Sequence, residues 1–334
     1  MSSKCRLIVM LLLPGIMLGL SSCNFIYEYD NCPPDNQLTI VNDWKAAPDA
    51  APEGMAYLFF PDDGGATWRY DFPSREAGGV NLLHGSYSFL SYNDDTYNVR
   101  FKEGDGYSGY VAYTDAAERM AFNIAGDTAT AALPQRMALS EQPLVKCPDM
   151  MWGCSYPRVD LADNMLSYLT AENSEPVTSS AKVLTVHQRQ LTARYSFIIH
   201  DVENLAGVKQ MSAMFGGLAG SLNLATGAAG DYPSVLPSKA VKASDTSISG
   251  NFITFGLPLQ PDTDNVLSLL VQLTDGRKFN YEFNVTDQVR RAPDPLNVHV
   301  ELRGLKLEVS DPADTGAFDV NVDGWTTVVI NING

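Results

Sequence analysis

The sequence predicts an all-β protein of two sandwich domains in tandem. Three observations predict it. Short runs alternate apolar and polar residues with period two, as half-buried strands do. Clusters of Gly, Pro, Asn and Asp separate these runs at short intervals, in the manner of packed sheets rather than of strands alternating with helices. The chain has 334 residues and is 45% hydrophobic, which is too much for one ordinary core and ample for two.

The first segment is not part of that fold. Lys4 and Arg6 precede an apolar stretch from Leu7 to Leu20, which is too short to span a bilayer and ends in small residues. It reads as an export signal over residues 1–22. Cys23 then stands first in the mature chain, after Leu20-Ser21-Ser22. This arrangement is similar to a bacterial lipoprotein signal, in which the thiol is acylated, and Cys23 is the expected lipidation site. Two or more acyl chains hold a protein stably on a membrane, because each buried CH₂ contributes about 0.8 kcal/mol. Residues 23–36 form a lipidated leader that ends at Pro33-Pro34.

The net charge of −16 excludes nucleic acid as a partner, since nothing offsets phosphate repulsion. It also excludes electrostatic attachment to anionic lipid, which leaves the acyl chains as the membrane contact. Cys32, Cys147 and Cys154 remain after the signal and the lipidated thiol are set aside. Cys147 and Cys154 are spaced to close a short loop, so a disulfide between them is one expectation and buried reduced thiols are the other. His84, His187, His200 and His299 form no paired-ligand motif with a cysteine, so no metal site is expected.

From Gln37 the strands begin. Leu38–Val41 leads to Asp43-Trp44. Met55–Phe60 is an unbroken apolar run stopped by the turn Pro61-Asp62-Asp63-Gly64-Gly65. Trp68–Phe72 alternates, as does Ser86–Tyr92, which Asn93-Asp94-Asp95 ends. Residues 115–135 are Ala-rich and weakly patterned, and a helical turn is expected over Leu161–Tyr168. Ala171–Pro176 breaks the pattern and sets the expected boundary, giving domains over 37–176 and 177–334. Strands follow over Ala181–Val186 and Leu191–Ile199. The glycine-rich stretch 213–230 predicts a tight loop or bulged strand, and no lysine follows as a phosphate loop requires. Asp275-Gly276 marks a hairpin between Val266–Val271 and Phe279–Val285. Thr286 is the expected cap of a helical turn. Val298–Leu302, Leu305–Val309 and Trp325–Ile332 complete the strands.

These residues carry a resemblance. Cys23…Glu28…Cys32-Pro33 resembles the start of fimbrial anchor lipoproteins of Bacteroidales. Asp43-Trp44, Gly54-Met55…Gly64-Gly65 and Gly85-Ser86-Tyr87…Asp95-Thr96 resemble a lipoprotein domain family of unknown function from the same bacteria. The second half, from Ala193-Arg194-Tyr195 to Gly324-Trp325, is similar to fimbrillin-type C-terminal domains. The resemblance implies transthyretin-like sandwiches. It implies a lipid-anchored outer-membrane protein that anchors a fimbria or helps assemble it, with fimbrial subunits as partners met by strand addition.

Val328, Val329, Ile330 and Ile332 form the candidate donor strand, with completion of the protein's own sandwich as the plainer expectation. The alternative function is capture of a surface glycan or host ligand, with Trp44, Trp68 and Trp152 as stacking residues against a plain core role. No HExxH, G-x-S-x-G or Cys–His nucleophile pattern is present, so no enzyme and no cofactor is expected. Asp62-Asp63 and Asp94-Asp95 read as turn residues.

Overall fold

The computed structural model describes residues 37–118, 139, 141–170, 173, 175–259, 263–309 and 324–330. Among these residues the chain forms twenty-one strands in four sheets.

The N-terminal sandwich is built on β2 (Met55–Pro61). Met55, Tyr57 and Phe59 enter one core, and Ala56, Leu58 and Phe60 enter another on the opposite face. That is why this run is apolar throughout: a strand covered on both faces has no reason to alternate. It pairs antiparallel with β3 (Trp68–Phe72) and β5 (Gly85–Asn93). Then β8 (Trp152–Ala162), β9 (Met165–Leu169) and β10 (Val177–Ser179) extend the sheet, and β12 (Arg189–Gln190) also pairs with β8.

A smaller sheet covers the first face. In it β1 (Gln37–Asp43) lies between β4 (Gly79–Asn81), antiparallel, and β11 (Val183–His187), parallel. Leu38, Ile40, Val80, Leu184 and Val186 point into the shared core. The second face is covered by β6 (Val99–Gly104), β7 (Gly106–Thr114) and β15 (Ser221–Asn223). The last of these comes from the far half of the sequence.

The C-terminal sandwich is one sheet folded on itself. Its order is β20 (Asn297–Arg303), β13 (Ala193–His200), β17 (Ser247–Thr254), β16 (Pro233–Ser244), β14 (Val208–Ala219), β18 (Val266–Leu273), β19 (Lys278–Asn284) and β21 (Trp325–Ile330). The long β16 pairs with β14 through its first half and with β17 through its second. The two halves of the sheet thereby face each other, and Phe197, Phe252 and Val300 pack in one core with Phe215, Leu269 and Tyr281. A bulge interrupts β14 between Phe215 and Leu218. Gly217 has φ +75 there, and a Cβ on it would sit 2.3 Å from the Asp264 carbonyl oxygen, so the bulge requires glycine.

Four expectations are corrected. The boundary at 176 falls too early: β10, β11 and β12 all belong to the N-terminal sheets, where Leu184 and Val186 fill the core beside β1. The expected helical turn over 161–168 is the hairpin of β8 and β9, with Leu161, Leu166 and Tyr168 all buried in the N-terminal core. The segment 305–309 makes an isolated bridge at Lys306 and no strand, although Leu305 and Leu307 are buried. Thr286 opens α1 (Thr286–Arg290) as its first helical residue, with Val285 at the cap. Its Oγ1 instead accepts the Asn265 amide at 2.9 Å, which ties α1 to the start of β18. The bulged glycine-rich strand and the Asp275-Gly276 hairpin are found as expected, with Gly276 at φ +93.

Candidate functional site

The candidate site is the edge of the C-terminal sandwich formed by the last strand. β21 runs parallel to β19, in register from Lys278–Trp325 to Phe283–Ile330. A parallel neighbour requires a long connection instead of a tight turn. Side chains alternate across the sheet, so the strand divides its contacts. Trp325 is 1% exposed and packs with Leu139, Leu144, Met214, Val235 and Leu270 on the outer face of the sheet. The Lys278 ammonium lies 5.9 Å from its ring centroid. Val328 and Ile330 lie half-buried against the main core. Val329 is 66% exposed. One ladder and one fully buried side chain thus hold a strand with an apolar residue in solvent. Edges of this kind template pairing with another chain.

Beneath the strand, β19 is polar on the same outer face. Asn280 donates to the Glu282 carboxylate at 2.8 Å, and both are buried. On its other face Phe279, Tyr281 and Phe283 enter the core.

The remaining predicted residues fall in different places. Cys23 and Ile332 lie outside the described residues. Cys147 and Cys154 form no disulfide with each other; both are reduced thiols. The reason is that they serve different cores. Cys147 packs against the C-terminal core and its thiol donates to the Pro237 carbonyl at 3.3 Å. Cys154 faces the N-terminal core beside Ser91. Burial pushes the Cys147 thiol up to about 12.

Of the proposed stacking residues, Trp44 is buried, with its ring beneath the Arg75 guanidinium at 4.8 Å and its indole N–H donating to the Arg75 carbonyl. Trp68 and Trp152 are half-buried against the N-terminal core. Trp68 also lines an open cleft of about 630 Å³ with Asp62, Leu83, His84 and Tyr87. Asp63 works as a turn residue and accepts the Gly65 amide at 2.9 Å. Asp95 accepts the amide of Glu53, far away in the sequence, at 2.8 Å and so ties two loops together. Burial and then the nearby Asp71 carboxylate push the Asp94 carboxyl above its ordinary range, against the pull of Arg69. Among the described residues, no three His, Cys, Asp or Glu side chains gather as metal ligands.

Two structural residues gave no signal in the sequence. Gln188, fully buried, donates to Asn42 at 3.0 Å and accepts from Ser91 at 3.1 Å, linking the two N-terminal sheets. Asp149 accepts the amides of Tyr97 and Asn98 at 2.7 and 2.5 Å and so fixes the loop into β6. Both partners lie tens of residues away along the chain, where no spacing rule reaches.

Fold and edge together define a class: an all-β protein of two sandwiches whose last strand lies at a sheet edge. The chain belongs to the family described as Domain of unknown function (DUF5119), whose model matches residues 22–237. A named relative, the candidate fimbrium anchoring subunit Fim4B of Bacteroides ovatus, is 29% identical over 104 residues. That match spans 31% of this chain and 31% of the relative, so the comparison reaches about a third of the relative's length. Among solved structures, a candidate adhesin from Bacteroides ovatus superposes with a TM-score of 0.60 at 19% identity. It covers 89% of this chain and 99% of its own, and it supports the fold. The fimbrial anchor protein Mfa2 of Porphyromonas gingivalis superposes at 0.46 with 13% identity, over 80% of this chain and 89% of its own. Among the described residues no helix is long and apolar enough to cross a membrane.

Proposed function

We propose that the protein is a lipid-tethered component of a fimbrial system at the cell surface. It anchors fimbrial subunits or helps to assemble them, and it does so without catalysis. Cys23 carries the lipid and the leader to Pro34 serves as the tether. The partner is met by strand addition at the β21 edge, where main-chain hydrogen bonds make the joint and alternate side-chain pockets give it specificity. The observation that carries this reading is β21 itself, a terminal strand laid parallel on β19 with Trp325 as its buried anchor and Val329 in solvent. The fimbrial name of the related subunit supports the partner class.

The test is recovery from the outer membrane of the native host. Wild-type protein is expected to incorporate labelled fatty acid and to co-purify with fimbrial subunits. Cys23→Ser is expected to lose the label. Val329→Asp, which places a charge on the open edge, is expected to keep the label and lose the subunits. Wild-type protein recovered unacylated, or recovered free of any fimbrial subunit, would refute the proposal.

A further inference from the structure

The C-terminal sheet ends at β20 on one side and at β21 on the other. An exposed edge strand offers unpaired N–H and C=O groups to any extended chain. At β20 the chain has already used some of them. Along that strand alternate residues turn their backbone groups away from β13, so Asn297, His299, Glu301 and Arg303 share the outer side. Val289 in α1 is 3% exposed and pins the helical turn to the core. The preceding residue, Gln288, reaches the strand. Its side-chain Nε2 donates to the Glu301 carbonyl at 2.9 Å, and its Oε1 accepts the Glu301 amide at 2.8 Å.

A primary amide carries one donor face and one acceptor face, as a peptide group does. The two bonds therefore copy those that an antiparallel neighbour exchanges with one residue of a strand. Four residues upstream, the Asn297 amide donates to the Asp294 carbonyl at 3.2 Å, and the Asn297 side chain donates to the Asp294 carboxylate at 2.7 Å. Of the four outward positions, Glu301 is thus bonded from within the molecule through both backbone groups and Asn297 through its amide, and α1 packs beside the strand. The side chains along this edge are polar as well: His299 bonds to Ser196 at 2.9 Å, and Glu301 meets His200 at 3.5 Å.

We propose that Gln288 is an edge lock, which closes the β20 side of the sandwich to strand addition and leaves the β21 side as its one joint. The inference rests on the reading of this protein as a strand-adding assembly component. A sandwich open at both edges would pass an assembly on in either direction. One locked at β20 takes a neighbour on one side and ends the series there, as an anchor must. With the lock removed, the Glu301 amide and carbonyl are left open to an extended strand, and in a solution of this protein alone that strand is the β20 edge of a second copy.

The test uses purified full-length protein and the variant Gln288→Ala. Gln288→Asn, too short to reach both groups, serves if the first fails to fold. Hydrogen exchange at the Glu301 amide is expected to quicken at least tenfold. Sedimentation velocity is expected to show concentration-dependent dimers where the wild type is monomeric. Adding His299→Pro removes the outward N–H that lies between the two bonded positions, a change an edge strand tolerates, and is expected to restore the monomer. The proposal is overturned by unchanged exchange at Glu301, by faster exchange without self-association, or by dimers that persist with the proline in place. None of these readouts needs a fimbrial subunit. Loss of subunit co-purification with the lock intact would therefore sink the proposed function and leave the edge lock standing.

Discussion

Cysteine chemistry shows how far single residues could be read. Seven positions apart in the sequence, Cys147 and Cys154 allowed a disulfide as readily as two buried thiols. What decides between them is the core that each strand faces, and that is fixed by tertiary packing. Cys147 belongs to the C-terminal core and Cys154 to the N-terminal one. Desolvation also sets the reactivity of Cys147. The thiolate is the nucleophile, and a thiol raised to about 12 is almost wholly protonated at pH 8. Alkylation of native protein at pH 8 is therefore expected to be slow at Cys147 and to become rapid on unfolding in urea. Denatured samples are expected to take up the same number of labels at Cys147 and Cys154 with and without prior reduction, as peptide mass spectrometry would show. A reductant-dependent mass difference at these two positions would show a bridge instead.

At the scale of elements, the legible strands were those whose residues obey a local rule. Trp68–Phe72 alternates because one face of β3 is solvated, and the Asp275-Gly276 turn dictates its hairpin. The hairpin of β8 and β9 was missed because Leu161, Leu166 and Tyr168 also fit a helical face when read without their partners. The last strand could be seen in the sequence as β-branched, but its parallel pairing with β19 could not, because register across a long connection is set by the receiving sheet. Trp325 now accounts for why it docks. Truncating a buried tryptophan costs about 3–5 kcal/mol, which is comparable with what the six-pair edge ladder returns in net hydrogen bonding at about 1 kcal/mol per bond. Trp325→Ala is accordingly expected to release β21 while the rest of the sandwich holds. Amides of Trp325–Ile330 and the outer side of Lys278–Asn284 would lose protection from exchange, and those of β13 and β17 would keep it. Uniform loss of protection across the sheet would show instead that β21 is integral to the core.

For the whole molecule, composition and length gave two sandwiches correctly, and the error at the boundary has a physical cause. The sequence was divided where its pattern breaks, but the cores are divided where side chains pack. β11 supplies Leu184 and Val186 to the N-terminal core from beyond residue 176. β15 crosses from the second half to pair with β7, and Leu222, Leu224 and Phe255 share a core with Leu58, Phe60 and Tyr92. In return Leu139 and Leu144 lie on the outer face of the C-terminal sheet with Trp325. Each sandwich therefore has a face covered by the other half of the chain, which separable domains do not. A fragment of residues 37–176 would lack the parallel partner of β1 and the strand that closes the third layer. It is expected to be insoluble, or to bind a hydrophobic dye without a dispersed amide spectrum. The full chain is expected to unfold in one transition, with tryptophan fluorescence, which reports mainly on Trp44, Trp68 and Trp152 in the N-terminal half, coinciding with the loss of circular dichroism from all strands. Two resolved transitions, or a well-dispersed spectrum from the fragment, would show that the halves fold independently and that their shared layers are a docking contact.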